Sequence, residues 1–267
     1  MAILESSVRF TGSLGDLSAY IRRGSDKVIL RRKGGASKKR IMTAPAFENT
    51  RRINSEFSGR SMATKWLMRA LQHHRPLADH SFTGKINALL KPIQELDTVS
   101  PWGKRAIILT ANPSLLEGFP LNMGTTFEAI VRAPLICDIS HDTHKVTAQL
   151  PQLVPDINFF PPSHHPVFSL VIGAGIMPDL HFSGNAYRPV NESIQEFPPV
   201  AIETPWHPTN ESMEPLTLNL QLPDEFFQEN TSIVITVGIK YGWILPDGTA
   251  QQIKHTGAAT IKKISNS

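Results

Sequence analysis

The 267-residue chain contains one cysteine, Cys137. A lone thiol cannot close an intramolecular disulfide or supply a thiolate metal cluster. It stands in the apolar run Ala133-Pro134-Leu135-Ile136-Cys137, where a buried structural thiol is expected. No window approaches the ~18 apolar residues of a membrane span. The opening Met1-Ala2-Ile3-Leu4-Glu5 lacks the charged and then apolar layout of a secretory signal. The expectation is a cytoplasmic protein with no membrane partner. The Asn-x-Ser/Thr triplets at Asn191, Asn210 and Asn230 are then chance matches, because glycosylation requires secretion.

Signatures of catalysis are also missing. Gly34-Gly35 lies beside a basic run but without the spacing of a phosphate loop, and reads as a tight turn. Gly173-Ala174-Gly175 lacks the third glycine and the helix of a dinucleotide fingerprint, and sits in an apolar strand, where glycine marks a bulge or close packing. No nucleophile elbow or His-Glu-x-x-His occurs, and nothing pairs the carboxylates as acid and base. The sequence predicts no enzyme and no cofactor.

What is abundant is positive charge at the front. Residues 1–75 carry 16 Lys/Arg against 5 Asp/Glu, a net +11, and residues 76–267 carry 11 against 18, a net −7. Such asymmetry suits an anionic partner for the front half or head-to-tail self-association. A solvated surface is the plain alternative.

The pattern along the chain predicts an α+β protein. A strand from Val8 runs into the Gly12 to Gly15 turn. Strands at 17–23 and 27–32 form a hairpin about Gly24-Ser25-Asp26. An exposed basic loop follows at 36–40. Thr43-Ala44-Pro45 starts a helix that ends at Ser58-Gly59, and Ser61 caps a second, with Trp66 and Leu67 on its apolar face. His73-His74 closes that second helix, where partial positive charge suits the dipole. A third amphipathic helix begins near Asp79. A break at 58–59 could present Ser61, Thr64 and Lys65 as a base-reading helix-turn-helix, but a plain helical pair is the preferred reading.

Strands are then expected at 104–110, 125–132, 135–139, 145–150, 167–176, 200–203, 216–222, 231–241 and 258–264, with an irregular excursion over 178–214. The predicted organisation is a basic hairpin-and-helix domain over 1–100 and an antiparallel, immunoglobulin-like β-sandwich over 101–267.

Few residues are candidate ligands. His141, Asp142 and His144, with Asp138, could meet at a hairpin end, joined by His164, His165 or His207. Their spacing matches no zinc signature, and a polar turn needs only such residues, so no metal is assigned. Trp102, Trp206, Trp243 and Tyr187 would suit a sugar-stacking platform, yet nothing in the sequence brings them together, so core or loop anchoring is preferred.

The chain resembles a family of uncharacterised proteins from Bacteroidota genomes. The resemblance rests on Phe10-Thr11-Gly12-Ser13-Leu14-Gly15 with Tyr20 and Arg31, on Arg51-Arg52-Ile53-Asn54-Ser55-Glu56-Phe57, and on Leu116-Glu117-Gly118-Phe119-Pro120-Leu121-Asn122. It implies no activity, cofactor or catalytic residue.

The expected function is a non-enzymatic assembly protein, an opposite-sign match of basic front to acidic partner being the organising idea, with self-association as the first form. The contact residues are Arg22, Arg23, Arg31 and Arg32 of the hairpin, Lys38, Lys39 and Arg40 of the loop, and Arg51 and Arg52 of the first helix. The same cations would serve a nucleic acid. Aromatic interleaving for single strands is sparse there, limited to Tyr20, Phe47, Phe57 and Trp66. A metal- or carbohydrate-binding sandwich is the third reading.

Overall fold

The computed structural model describes residues 2–4, 10–22, 25–162 and 165–267. It is α+β and mostly antiparallel, with a C-terminal sandwich-like sheet region. Its compact units are Met1–Arg51 and Arg52–Ser267. The division therefore falls inside a helix and not near residue 100. The reason is packing: Leu67, Leu71, Ile86 and Leu90 of the helical segment share one apolar cluster with Ile172 and Ile235 of the large sheet.

In the first unit β1 (Ala2–Leu4), β2 (Gly12–Leu14), β3 (Leu17–Ile21) and β4 (Val28–Arg32) form an antiparallel sheet in the order β1-β4-β3-β2. The expected hairpin is β3–β4, with Ile21 opposite Val28 and Leu17 opposite Arg32. Gly15 takes φ 53° in the tight β2–β3 turn, a conformation that glycine adopts without strain. The strand start at Val8 and the turn residue Gly24 lie outside the described residues. The expected basic loop is in part helical: α1 spans Lys38–Thr43, and the Ser37 side chain accepts from Arg40 N at 3.3 Å. Serine at that position supplies the cap that a short helix needs.

Helix α2 (Glu48–Ala70) runs unbroken through Ser58 and Gly59. Gly59 is required there by a neighbour, not by a turn. A Cβ at this position would lie 2.7 Å from the Tyr187 ring, so only glycine lets the ring pack on the helix backbone. No helix-turn-helix exists at this point. The third predicted helix is α3 (Thr83–Glu95), with Ile86, Leu90 and Ile93 buried and Pro92 in its last turn. The segment 125–132 is not a strand but holds the short α4 (Phe127–Ile130). The Thr126 side chain caps Ala129 N, and Phe127 and Ile130 are buried three residues apart.

The sheets of this unit use β5 (Ile136–Ser140), β6 (Lys145–Leu150), β7 (Val167–Pro178), β8 (Leu180–Ser183), β9 (Ala186–Pro189), β10 (Val200–Glu203), β11 (His207–Pro208), β12 (Leu216–Gln221), β13 (Thr231–Ile244) and β14 (Ala250–Asn266). The large sheet has the order β10-β7-β13-β14, with β11 also on β7; β12-β6-β5 form a second sheet. The β8–β9 hairpin is an element within what the sequence presents as an excursion. The expected strand at 104–110 shrinks to one bridge, Ile107 with Leu180. Side chains replace its ladder: Asp97 accepts from Ala106 N at 2.7 Å, and Asp179 accepts from Leu109 N at 2.7 Å.

Every residue of β7 is buried, because the central strands are covered on both faces. Pairing puts Leu170, Ile172 and Ala174 of β7 beside Ile239, Val237 and Ile235 of β13 on one face. The other face carries Gly173, Gly175 and Gly238. There α2 and the turn after it approach the backbone: a Cβ at Gly173 would meet the His74 ring at 2.7 Å. The glycines in Gly173-Ala174-Gly175 thus serve close packing. The free side of β14 is closed by 118–121, through Gly118 N to Ile261 O and Leu121 N to Ala259 O, both 2.8 Å. Covering an edge in this way removes a site of unwanted strand pairing.

Candidate interaction surface

Sheet register decides the character of the small unit. In β3 and β4, Leu17, Ala19 and Ile21 share a face with Val28 and Leu30, and Leu14 of β2 joins them. Among the described apolar residues of this unit only Ala19 and Val28 are buried. Leu14 is 64% exposed, Ile21 51% and Leu17 37%. A half-apolar strand pattern normally ends against a core; here much of that face is open.

The predicted contact cations differ in their surroundings. Arg22 is exposed, as are Lys38, Lys39 and Arg40 on α1, and none of these four has a carboxylate within ion-pair distance among the described residues. Arg31 lies over the Tyr20 ring at 5.5 Å, and Arg32 pairs loosely with Asp16 at 3.8 Å. Arg51 is structural: one of its guanidinium nitrogens donates to Ile41 O at 2.7 Å and Ala44 O at 2.9 Å, holding the chain where α1 ends. Arg52 belongs to the larger unit and stacks on Trp102 at 5.2 Å. Arg23 lies outside the described residues.

The charge asymmetry is smaller between the true units than between the sequence halves. Met1–Arg51 holds 11 Lys/Arg and 4 Asp/Glu, net +7; Arg52–Ser267 holds 16 and 19, net −3. Several cations of the helical segment are satisfied within the large unit. Arg60 donates to Gln94 Oε1 at 2.7 Å, and Lys65 and Arg69 both pair with Glu196.

The candidate metal ligands are not gathered around a common point. His144 Nδ1 donates to Asp224 Oδ1, 2.6 Å away, and the ring stacks on Phe227 at 4.0 Å; His141 meets the same ring edge-on at 5.7 Å. Asp138 pairs with Lys263. Among the described residues no group of three His, Cys, Asp or Glu is placed to hold a metal ion. His164 lies outside the described residues. The tryptophans are likewise separate: Trp102 under Arg52, Trp206 over Gly242 and Lys240, Trp243 beside His165.

Two polar groups, His74 and Glu56, carry a structural meaning that the sequence does not announce, and Cys137 takes the buried place expected of it. The His74 ring lies within the fold, 3.1 Å from Val171 O and 3.0 Å from Thr236 Oγ1, and burial lowers its pKa to about 4. Glu56 accepts from Gly103 N and, through both oxygens, from Arg105 at 2.7 Å. Burial works to raise the Glu56 carboxyl but is outweighed by the Arg105 and Gly103 hydrogen bonds, so its pKa is lowered. Cys137 is buried and inert, its thiol pushed to about 11 by burial.

Among the described residues no helix is long and apolar enough to cross a membrane. Comparison with known proteins finds no matching family model, no matching curated protein and no matching solved structure.

Proposed function

We propose that the protein is a non-enzymatic assembly component whose basic N-terminal unit docks on an acidic partner, first of all a second copy of the chain. One observation carries this reading. The Met1–Arg51 unit buries only Ala19 and Val28 among its described apolar residues, while Leu14, Leu17 and Ile21 share a largely open face. Two side chains are far short of a core for a unit of this size. Among the described residues the cations of α1 have no carboxylate within ion-pair distance, and the larger unit has the opposite net charge. Head-to-tail contacts of that kind close into rings or extend into filaments. A cytoplasmic location goes with this reading.

Size-exclusion chromatography with light scattering, at low and at high salt, tests it. The expected result is an assembly at low salt that dissociates as salt screens the exposed charges. A monomer at every ionic strength overturns it. The nucleic-acid alternative now rests on Arg22, Lys38, Lys39 and Arg40, since Arg51 is engaged with carbonyls and α2 runs unbroken where a helix-turn-helix would need its turn. A gel shift at low ionic strength decides it; no retardation removes that alternative.

A further inference from the structure

Strand β12 stands at the margin of the β12-β6-β5 sheet and pairs with β6 alone. Leu222 N donates to His144 O at 2.8 Å, one step beyond the Gln221–Lys145 pair. Bonded and non-bonded pairs alternate along an antiparallel ladder. The backbone groups of Leu216, Leu218 and Leu220 therefore turn towards β6, and those of Thr217, Asn219 and Gln221 turn away from it. Among the described residues nothing bonds to the backbone N–H or C=O groups of these three, and all three are exposed.

An open edge is a template for another strand, and folded proteins guard their edges with charge, proline, bulges or a covering segment. Segment 118–121 covers β14, β10 carries Glu203, β5 carries Asp138, and β9 carries Arg188 and ends on Pro189. Strand β12 has none of these devices. Its sequence Leu216-Thr217-Leu218-Asn219-Leu220-Gln221 holds no charge, glycine or proline, and its register with β6 is unbroken. Pro215 and Pro223 stand just outside it and limit its length.

We infer that β12 pairs with β12 of a second copy of the chain about a two-fold axis, joining the two β12-β6-β5 sheets into one. An antiparallel register centred on Asn219 sets Thr217 of one copy opposite Gln221 of the other, and Asn219 opposite Asn219. These are the residues whose N–H and C=O groups point outward, so each pair exchanges both of its bonds. The same register sets Leu218 opposite Leu220 and Leu216 opposite Leu222 on the inner side of the sheet. Leu216, 36% exposed, gains an apolar neighbour there. On the outer side only Thr, Asn and Gln meet, so no like charges are opposed. A patch that matches itself closes as a two-fold dimer, and backbone bonding along an edge is a recurrent mode of association. A charged peptide would find no counter-charge on this strand. The contact lies wholly within Arg52–Ser267 and is separate from the docking of the basic unit. No charge takes part in it, so salt that screens the docking leaves it intact.

The test is sedimentation equilibrium of the full chain over a range of concentrations at high salt, where docking of the basic unit is screened. The expected result is a monomer–dimer equilibrium. Asn219→Lys opposes like charges at the two-fold axis. Asn219→Pro removes an N–H that bonds to nothing within the copy but is needed in the pair. Each is expected to weaken the dimer tenfold or more, while Asn219→Thr, neutral and suited to a strand, keeps it. Asn219→Lys should hardly move the melting temperature, since it gives up only an exposed bond from Thr147 Oγ1. A parent that stays monomeric at high salt overturns the inference, and the docking reading survives that result if an assembly appears at low salt. A dimer that Asn219→Lys and Asn219→Pro leave unchanged overturns it as well.

Discussion

Gly175 and Ala70 touch across the interface of β7 and α2. A Cβ built on Gly175 would stand 2.5 Å from Ala70 Cα, closer than any real Cβ contact. The helix and the sheet backbone are therefore matched at a single atom's resolution, and relief would need movement of one whole element. Gly175→Ala is expected to cost about 3 kcal/mol, at the upper end of overpacking. Gly34→Ala, which meets open space, serves as the comparison and should stay within ~0.5 kcal/mol. Urea unfolding of the two variants measures both; equal midpoints would contradict the contact.

His74 makes stability depend on mild acid. Its ring titrates near 6.5 when unfolded and near 4 in the fold, because burial disfavours the charged form. Between those values the unfolded chain binds a proton that the native chain refuses. Stability is thus fully present above pH 6.5 and falls by about 3 kcal/mol as the pH drops to 4. His165, also depressed by burial, acts in the same direction. Unfolding midpoints from pH 7.5 to 4 should show this slope in the parent and a shallower one in His74→Asn.

Asp97 acts in a separate, lower window. Burial would raise its carboxyl, but backbone N–H groups of Ser100, Ala106 and Val99 hold it down at about 2. Its contribution is present above the usual carboxylate range and is lost between about pH 4 and pH 2. Asp97→Asn keeps the shape and removes the charge, so its stability deficit should shrink over that interval when acid unfolding is followed by circular dichroism.

Glu56 and Arg105 form a two-pronged pair, with the Glu56 side chain 5% exposed and that of Arg105 20%. Glu56→Gln leaves a partly buried guanidinium without its counter-charge, and the expected loss is about 3 kcal/mol by chemical denaturation. Arg105→Lys should not preserve stability, because an ammonium cannot reproduce the planar fork.

Reversing Lys38, Lys39 and Arg40 together to Glu separates assembly from folding. These side chains are exposed, so the melting temperature should hardly move. Light scattering is expected to show a loss of the low-salt assembly. An unchanged assembly would remove α1 from the interface.

The strands were legible where the signal is local. Leu216, Leu218 and Leu220 alternate with polar residues and form β12, and the apolar run from Val167 forms β7. The alternation reports which side chains face a core, and neighbours in sequence suffice for that. Two predicted strands failed, the first because distant carboxylates intervene and the second because a local helical signal competes. At 104–110 the carboxylates of Asp97 and Asp179 take up backbone N–H groups that a ladder would have used. At 125–132 the Thr126 cap and two buried side chains three residues apart favour a helical turn. Of the candidate cations, the exposed ones on α1 were recognisable from charge alone. The engagement of Arg51 with Ile41 O and Ala44 O depends on a chain reversal invisible in composition.

Alternation, turn chemistry and the sign of charge along the chain were enough to determine an antiparallel α+β protein with a cationic front. Tertiary structure alone decided what Gly59 and His74 are for. Gly59 ends no helix because a tyrosine 128 positions later lies on it, and His74 titrates low because two strands enclose it. Local pattern records burial and backbone preference, whereas a residue's chemistry is set by whichever distant atoms fold against it.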